Sequence, residues 1–303
     1  MTGPCLTDVQ TDGDRPVGEI LPQDEKIAHA LGALTGGRLG EVETRLDTIP
    51  DSPANLLAWK TCIRGLVALQ RLQLSESLAL FLQAAGLAVT QAMSHDNWPE
   101  SESMRLCAHA LHHAGRVRRR QDAADQAYQT HLAAYRLREK HGSSEELCRT
   151  AVELGLDCDV AGRHEHAQRW HRTAVEHADQ IIGDAVPLHA LAWTHLATSL
   201  GQDGQHPDAV DAARTAARLL DAHDAGSLDA ARARFRLGSA LLRLGEAAHS
   251  GGAQTATILT EARGLLRSAS EEFSAFGSRC ESDLRSATEQ LEVADRLIAT
   301  VAS

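Results

Sequence analysis

Apolar and small residues recur at a fixed spacing in the second half of the chain. Leu154, Gly155 and Cys158 are followed by Gly162, Ala167, His171 and Ala174. The same intervals return as Leu196, Ala197 and Leu200, then Gly204, Ala209, Ala213 and Ala216, with Trp193 in front. A third copy opens on Leu237, Gly238 and Leu241 with Gly245, and resumes after an insertion as Ala262, Leu266 and Ala269. Within each copy the apolar positions fall three and four apart, the period of a half-buried helix. Pro, Gly and Asp punctuate the rest, and no strand alternation appears. Helices are predicted over 24–35, 40–49, 53–72, 75–93, 99–120, 122–140, 144–161, 164–181, 186–203, 206–221, 226–245, 255–276 and 278–301. Pro53, Pro99, Pro187 and Pro207 suit first helical turns, where a missing N–H is no loss. Ser75, Ser77 and the Asp51-Ser52 pair are candidate caps. Ala248 to Thr255 reads as an extended turn or a functional loop.

The last helix has its own stripe of Leu284, Ala287, Leu291, Ala294, Ile298 and Val301, with Glu281, Asp283, Arg285, Glu289, Glu292 and Arg296 outside it. Either it caps the apolar face of the preceding pair or it dimerises the protein.

Self-similarity at this interval is the mark of a stacked repeat. The copies resemble the tetratricopeptide repeat (TPR), whose pattern begins W-x2-L-G-x2-Y and continues with spaced Ala and Phe. Trp193, Leu196, Ala197 and Leu200 match its first half, and Leu154, Gly155 and Cys158 match it without the Trp. The aromatic knobs are mostly replaced, by Cys158, Leu200, Leu241, His171, Ala213 and Leu266. The spacing exceeds the usual repeat and is similar to the long-helix kinesin-light-chain variant. The resemblance implies an all-α fold, a right-handed α-solenoid of about six antiparallel helix pairs over 23–277 with a capping helix at 278–303. Gly155, Ala197 and Gly238 would lie at close helix crossings, and Gly162, Gly204 and Gly245 would end first helices in the left-handed conformation. Residues 1–22 read as a disordered arm.

Net charge is −11, which disfavours nucleic acid as a partner by overall charge. No apolar run reaches the roughly 20 residues that cross a bilayer, so no membrane partner is expected. The first 22 residues lack the apolar centre of a secretion signal. The six cysteines are scattered, which suits reduced thiols in a cytoplasmic protein. Three lysines against abundant arginine and alanine point to a GC-rich bacterial genome.

No catalytic constellation emerges. His109, His112 and His113 share one helix, and His109 with His113 has the i, i+4 spacing that can grip a metal, with Cys107 and His131 as the nearby candidates for further ligands. The alternative is a solvated helix face. His164, His166 and His171 do not form H-E-x-x-H. Gly36, Gly37 and Gly40 lack the Lys-Ser/Thr ending of a phosphate loop. Cys158 occupies a packing position. No cofactor is implied.

The resemblance does nominate a surface. First helices of such pairs line a concave groove, and the register places Trp59, Cys62, Arg149, Val152, Asp159, Thr194, Thr198, Arg232, Phe235, Ser239 and Arg243 there. One register of the 99–120 helix adds His109, His112, Arg116 and Arg119. Arginine forks grip carboxylates, so an acidic peptide or a free C-terminus is the natural ligand. Three readings follow: a noncatalytic peptide- or protein-binding module, a ligand-sensing regulator acting with a separate effector, and an enzyme with a histidine-lined groove.

Overall fold

The computed structural model describes residues 25–51, 54–93, 99–248 and 252–301. The predicted arm at 1–22 lies outside these. All regular structure among the described residues is helical. The helices are α1 (Glu25–Thr35), α2 (Leu39–Asp47), α3 (Ala54–Gln70), α4 (Leu74–Met93), α5 (Glu100–Arg120), α6 (Ala124–His141), α7 (Ser144–Val160), α8 (His164–Ala178), α9 (Val186–Gln202), α10 (His206–Asp224), α11 (Leu228–Ala247), α12 (Ala253–Phe276) and α13 (Glu281–Val301). Two compact units divide the chain, one up to Ala161 and one from Gly162.

Within each unit, successive helices pack in chain order, and alternate helices also touch: α3 on α5, α5 on α7, α9 on α11, α11 on α13. This is an all-α solenoid arrangement. Several helix junctions share one kind of turn. Gly37, Leu72, Asp122, Gly162 and Gly204 all have positive φ, between 58° and 78°. Behind four of them the next N–H reaches back to a carbonyl five residues earlier: Arg38 to Ala33 at 3.0 Å, Gln73 to Ala68 at 2.9 Å, Ala123 to Arg118 at 3.0 Å and Gln205 to Leu200 at 2.9 Å. Such a bond satisfies a terminal carbonyl and reverses the chain tightly.

Two expectations about punctuation are corrected. Gly245 does not end its helix. It lies inside α11, where an added Cβ would fall 2.4 Å from Leu259 Cδ2, so it is a packing glycine. Ser77 is no cap either. Its buried hydroxyl donates to the Gly65 carbonyl at 2.8 Å and ties α4 to α3. Asp51 receives Lys60 Nζ at 2.8 Å, and Ser52 and Pro53 lie outside the described residues. The caps used include Ser143, which forms a reciprocal capping box with Glu146, and Ser227, which accepts from the Ala230 N–H. Pro187 and Pro207 do sit in first turns, and Pro99 precedes α5. The loop at 248–255 is shorter than expected, because α12 begins at Ala253.

The core of the first unit runs through Ile27, Leu34, Val42, Leu46, Ile63 and Phe81 to Leu106 and Val117. Fully burying a side chain such as Phe81 contributes roughly 1.5–3 kcal/mol. In the second unit Leu200, Leu241, Leu259, Leu266 and Phe273 form the centre. There α13 lies against α11 and α12, with Ala287 and Ala294 buried and Leu284, Leu291, Ile298 and Val301 half-buried on the same cluster. The stripe read from the sequence faces this core.

Small residues set the helix crossings. An added Cβ on Gly65 would meet the Phe81 ring at 2.8 Å, and one on Gly115 would meet His131 Nε2 at 2.5 Å. In both cases the partner is sixteen residues on, the interval that separates Gly155 from His171 and Ala197 from Ala213 in the sequence. Gly238 stands 3.0 Å, by the same measure, from Leu266 Cγ. Ala197 is buried, and so is Gly155 in α7.

Candidate ligand-binding wall

The contact between Gly115 and His131 decides the register of α5. It puts Gly115 at the repeat position of Ala197, so His109, His112, Arg116 and Arg119 occupy first-helix positions equivalent to those nominated on α7, α9 and α11. Trp59 and Cys62 stand at the matching places on α3.

In the first unit some of these residues meet. The Trp59 ring lies 6.2 Å from that of His109, and His109 meets His113 edge to face at 4.6 Å. Trp59, Cys62, His109, His112 and Val152 are buried, whereas Arg116, Arg149 and Asp159 are half-buried. They form a wall whose polar edge reaches solvent, not the fully exposed groove lining that spacing suggested. Arg149 bonds Glu145 on its own helix at 3.0 Å.

A charged joint that pattern alone did not reveal underlies this wall. Arg119 bonds Asp157 Oδ1 at 2.8 Å and also pairs with Glu153, which Arg116 approaches at 3.3 Å. Fully buried His131 places Nδ1 2.5 Å from Asp157 Oδ2 and Nε2 2.9 Å from the His112 carbonyl. Arg138, also buried, donates to the Glu146 carbonyl at 3.1 Å and to Thr150, and lies 3.3 Å from His112 Nδ1. Arg105 pairs with the Glu146 carboxylate at 3.3 Å. Helices α5, α6 and α7 are thus joined through charge as well as apolar contact. Burial opposes ionisation of Glu153, but Arg119 and Arg116 outweigh it and hold its carboxyl well below the usual range. Burial likewise works against the charge on Arg119, and Glu153 and Asp157 reverse that and strengthen its hold on its proton.

In the second unit the nominated residues are spread over α9 and α11. Thr194 and Thr198 are half-buried and donate to carbonyls of their own helix, Ala190 at 2.7 Å and Thr194 at 3.0 Å. Arg232 pairs with Asp283 on α13 at 3.1 Å, Ser239 donates to Gln290 on α13 at 2.6 Å, and Phe235 is buried edge to face against Phe273. Arg243 is exposed beside Gly201. So α13 already takes the outward bonds of Arg232 and Ser239.

Among the described residues no three His, Cys, Asp or Glu side chains are grouped to hold a metal. The imidazoles of His109 and His113 pack on each other and on Trp59 and Phe81. Burial pushes the Cys107 and Cys148 thiols up to about 11 and about 12, so neither is a thiolate at neutral pH.

No protein-family model matches the sequence, and no curated protein is similar enough to match it. Solved structures do match. A Podosopora anserina protein with nearly identical kinesin light chain TPR-like repeats aligns over 73% of this chain and 99% of its own, at 14% identity and TM-score 0.55. The fold is of the TPR type. A Rap protein complexed with Competence and Sporulation Factor aligns over 93% of this chain and 89% of its own, at 14% identity and TM-score 0.50. The apo quorum sensor NprR of B. thuringiensis covers 91% and 85%, at 11% identity and TM-score 0.56. At these identities the likeness to TPR structures is one of fold. No helix among the described residues is long and apolar enough to cross a membrane.

Proposed function

We propose that this TPR-type protein is a noncatalytic peptide-binding regulator that acts in the cytoplasm through a separate effector. What supports the reading is the set of first-helix positions in the first unit, where Trp59 lies against His109 and where Arg116 and Arg149 are half-buried. Guanidinium groups that keep partial access to solvent suit a short peptide, with forks for its carboxylates. Two structures of the same fold support it, the Rap protein with its bound factor and the quorum sensor NprR. The described cysteines are buried thiols, which fits a reducing compartment.

An acidic side chain or a free C-terminus is the expected recognition element, with Arg149 reaching it from α7. The test is selection from a random heptapeptide phage library on the full chain, followed by calorimetry on the peptides recovered. Carboxylate-rich peptides should emerge. Arg149→Ala should weaken them at least about tenfold, the scale of one lost charge-assisted bond. Added salt should weaken them too. Arg285→Ala, at an exposed position on α13, serves as the control. An equal loss there would assign binding to overall charge, and recovery of no peptide would overturn the reading.

A further inference from the structure

Two carboxylates share the cations of the α5–α7 joint, and they differ in access to water. Asp157 is fully buried, and its oxygens are taken by Arg119 and His131. Glu153 lies one helical turn earlier and keeps 14% of its side-chain surface exposed, as does Arg116, with 19% for Arg119. Its carboxylate bridges these two arginines at the edge of the wall. A seat made by two guanidinium groups, open to solvent on one side, is therefore filled from inside by the chain's own carboxylate.

We propose that the seat between Arg116 and Arg119 is a carboxylate-binding site held shut by Glu153, which a carboxylate of an incoming peptide displaces. Replacement of one carboxylate by another conserves the charge balance. Asp157 keeps its bond to Arg119 throughout, and the incoming carboxylate takes the place of Glu153 beside Arg116, so neither cation is stranded. Glu153 needs only a rotamer change to reach water. Being tethered, it competes at a high effective concentration, and an external carboxylate binds only in the fraction of molecules where the seat is open. Removal of the tethered group should therefore strengthen binding, although it makes the arginines more loosely held. The source of the ligand carboxylate rests on the peptide-binding reading, and the seat itself does not.

The experiment measures fluorescence anisotropy on the full chain with three labelled hexapeptides. One carries four aspartates and an amidated end, one is neutral with a free C-terminus, and one is neutral and amidated. Glu153→Gln should bind at least one carboxylate probe about tenfold tighter than wild type. A gain for the first identifies an acidic side chain as the ligand group, and a gain for the second identifies a chain terminus. The third probe should not respond. Adding Arg116→Ala to Glu153→Gln should abolish the gain, and Glu261→Gln, which removes an acid paired with Arg214 in the second unit, should produce none.

In a second measurement, acetate replaces chloride at constant ionic strength. It should raise the melting temperature of Glu153→Ala and leave wild type unchanged. No gain in affinity, a gain that survives Arg116→Ala, or an equal acetate response in both proteins overturns the proposal. If library peptides bind through Arg149 while Glu153→Gln gains nothing, the latch fails and the peptide reading stands. If the variant gains carboxylate affinity while no library peptide binds, the latch stands and the peptide reading fails.

Discussion

Individual residues show where the chain tolerates strain. Among the described residues seven have positive φ, and glycine fills five of them, including Gly37, Gly162 and Gly204. Leu72 fills another with φ of 59°, although its side chain is 75% exposed and contributes little packing. A Cβ in this conformation crowds the following carbonyl, at about 1–2 kcal/mol. Leu72→Gly should therefore stabilise the protein by about 1 kcal/mol, less whatever glycine adds to the entropy of the unfolded chain. Thermal melts of Leu72→Gly and of the reverse change Gly162→Leu check this. The first should rise and the second fall, and a fall in both would show that Leu72 is held by contacts its exposure conceals. The periodic glycines made the other turns readable in advance. Leu72 was not readable, because leucine does not announce a left-handed backbone, whereas Asp122 is of a type that tolerates it.

Helices acquire a property here that none has alone. Arg116 and Arg119 of α5 meet Glu153 and Asp157 when α7 packs against them, and His131 of α6 completes the joint. The lowered folded-state value for Glu153 fixes the sign of a pH effect. Its contribution is fully present above the unfolded glutamate value of about 4.3 and is lost as pH falls through the lower folded value. Wild type should then lose stability with acid below about pH 4. Glu153→Gln should begin about 2 kcal/mol less stable at neutral pH and show a shallower acid decline. Urea denaturation at a series of pH values measures both, and parallel declines would mean that Glu153 is not the titrating group. The sequence presents the same residues as unrelated charges. Arg119 and Glu153 stand 34 positions apart, and only the pairing of α5 with α7 makes them neighbours.

At the scale of the molecule the terminal helix has the largest effect. Deleting residues 281–303 would uncover Phe273 and Leu266 and leave Arg232 and Ser239 without Asp283 and Gln290. The shortened protein should melt lower and scatter light as aggregates. A well-behaved monomer obtained from a dimeric parent would instead make α13 a dimerisation element. The sequence by itself determined the helices, the repeat interval and the side of α13 that faces the core. Those features depend on spacing along one chain, and a period of three and four residues leaves few ways to hide apolar surface. It also named Trp59, His109, His112 and Arg116, because repeat register carries position. The tertiary structure alone decided that Trp59, His109 and His112 are buried and that Arg116 keeps partial exposure. It decided too that α13 takes up Arg232 and Ser239, and that Gly245 packs against Leu259 instead of turning the chain. Burial and pairing depend on which helix comes to lie alongside, and no local period along the sequence records that.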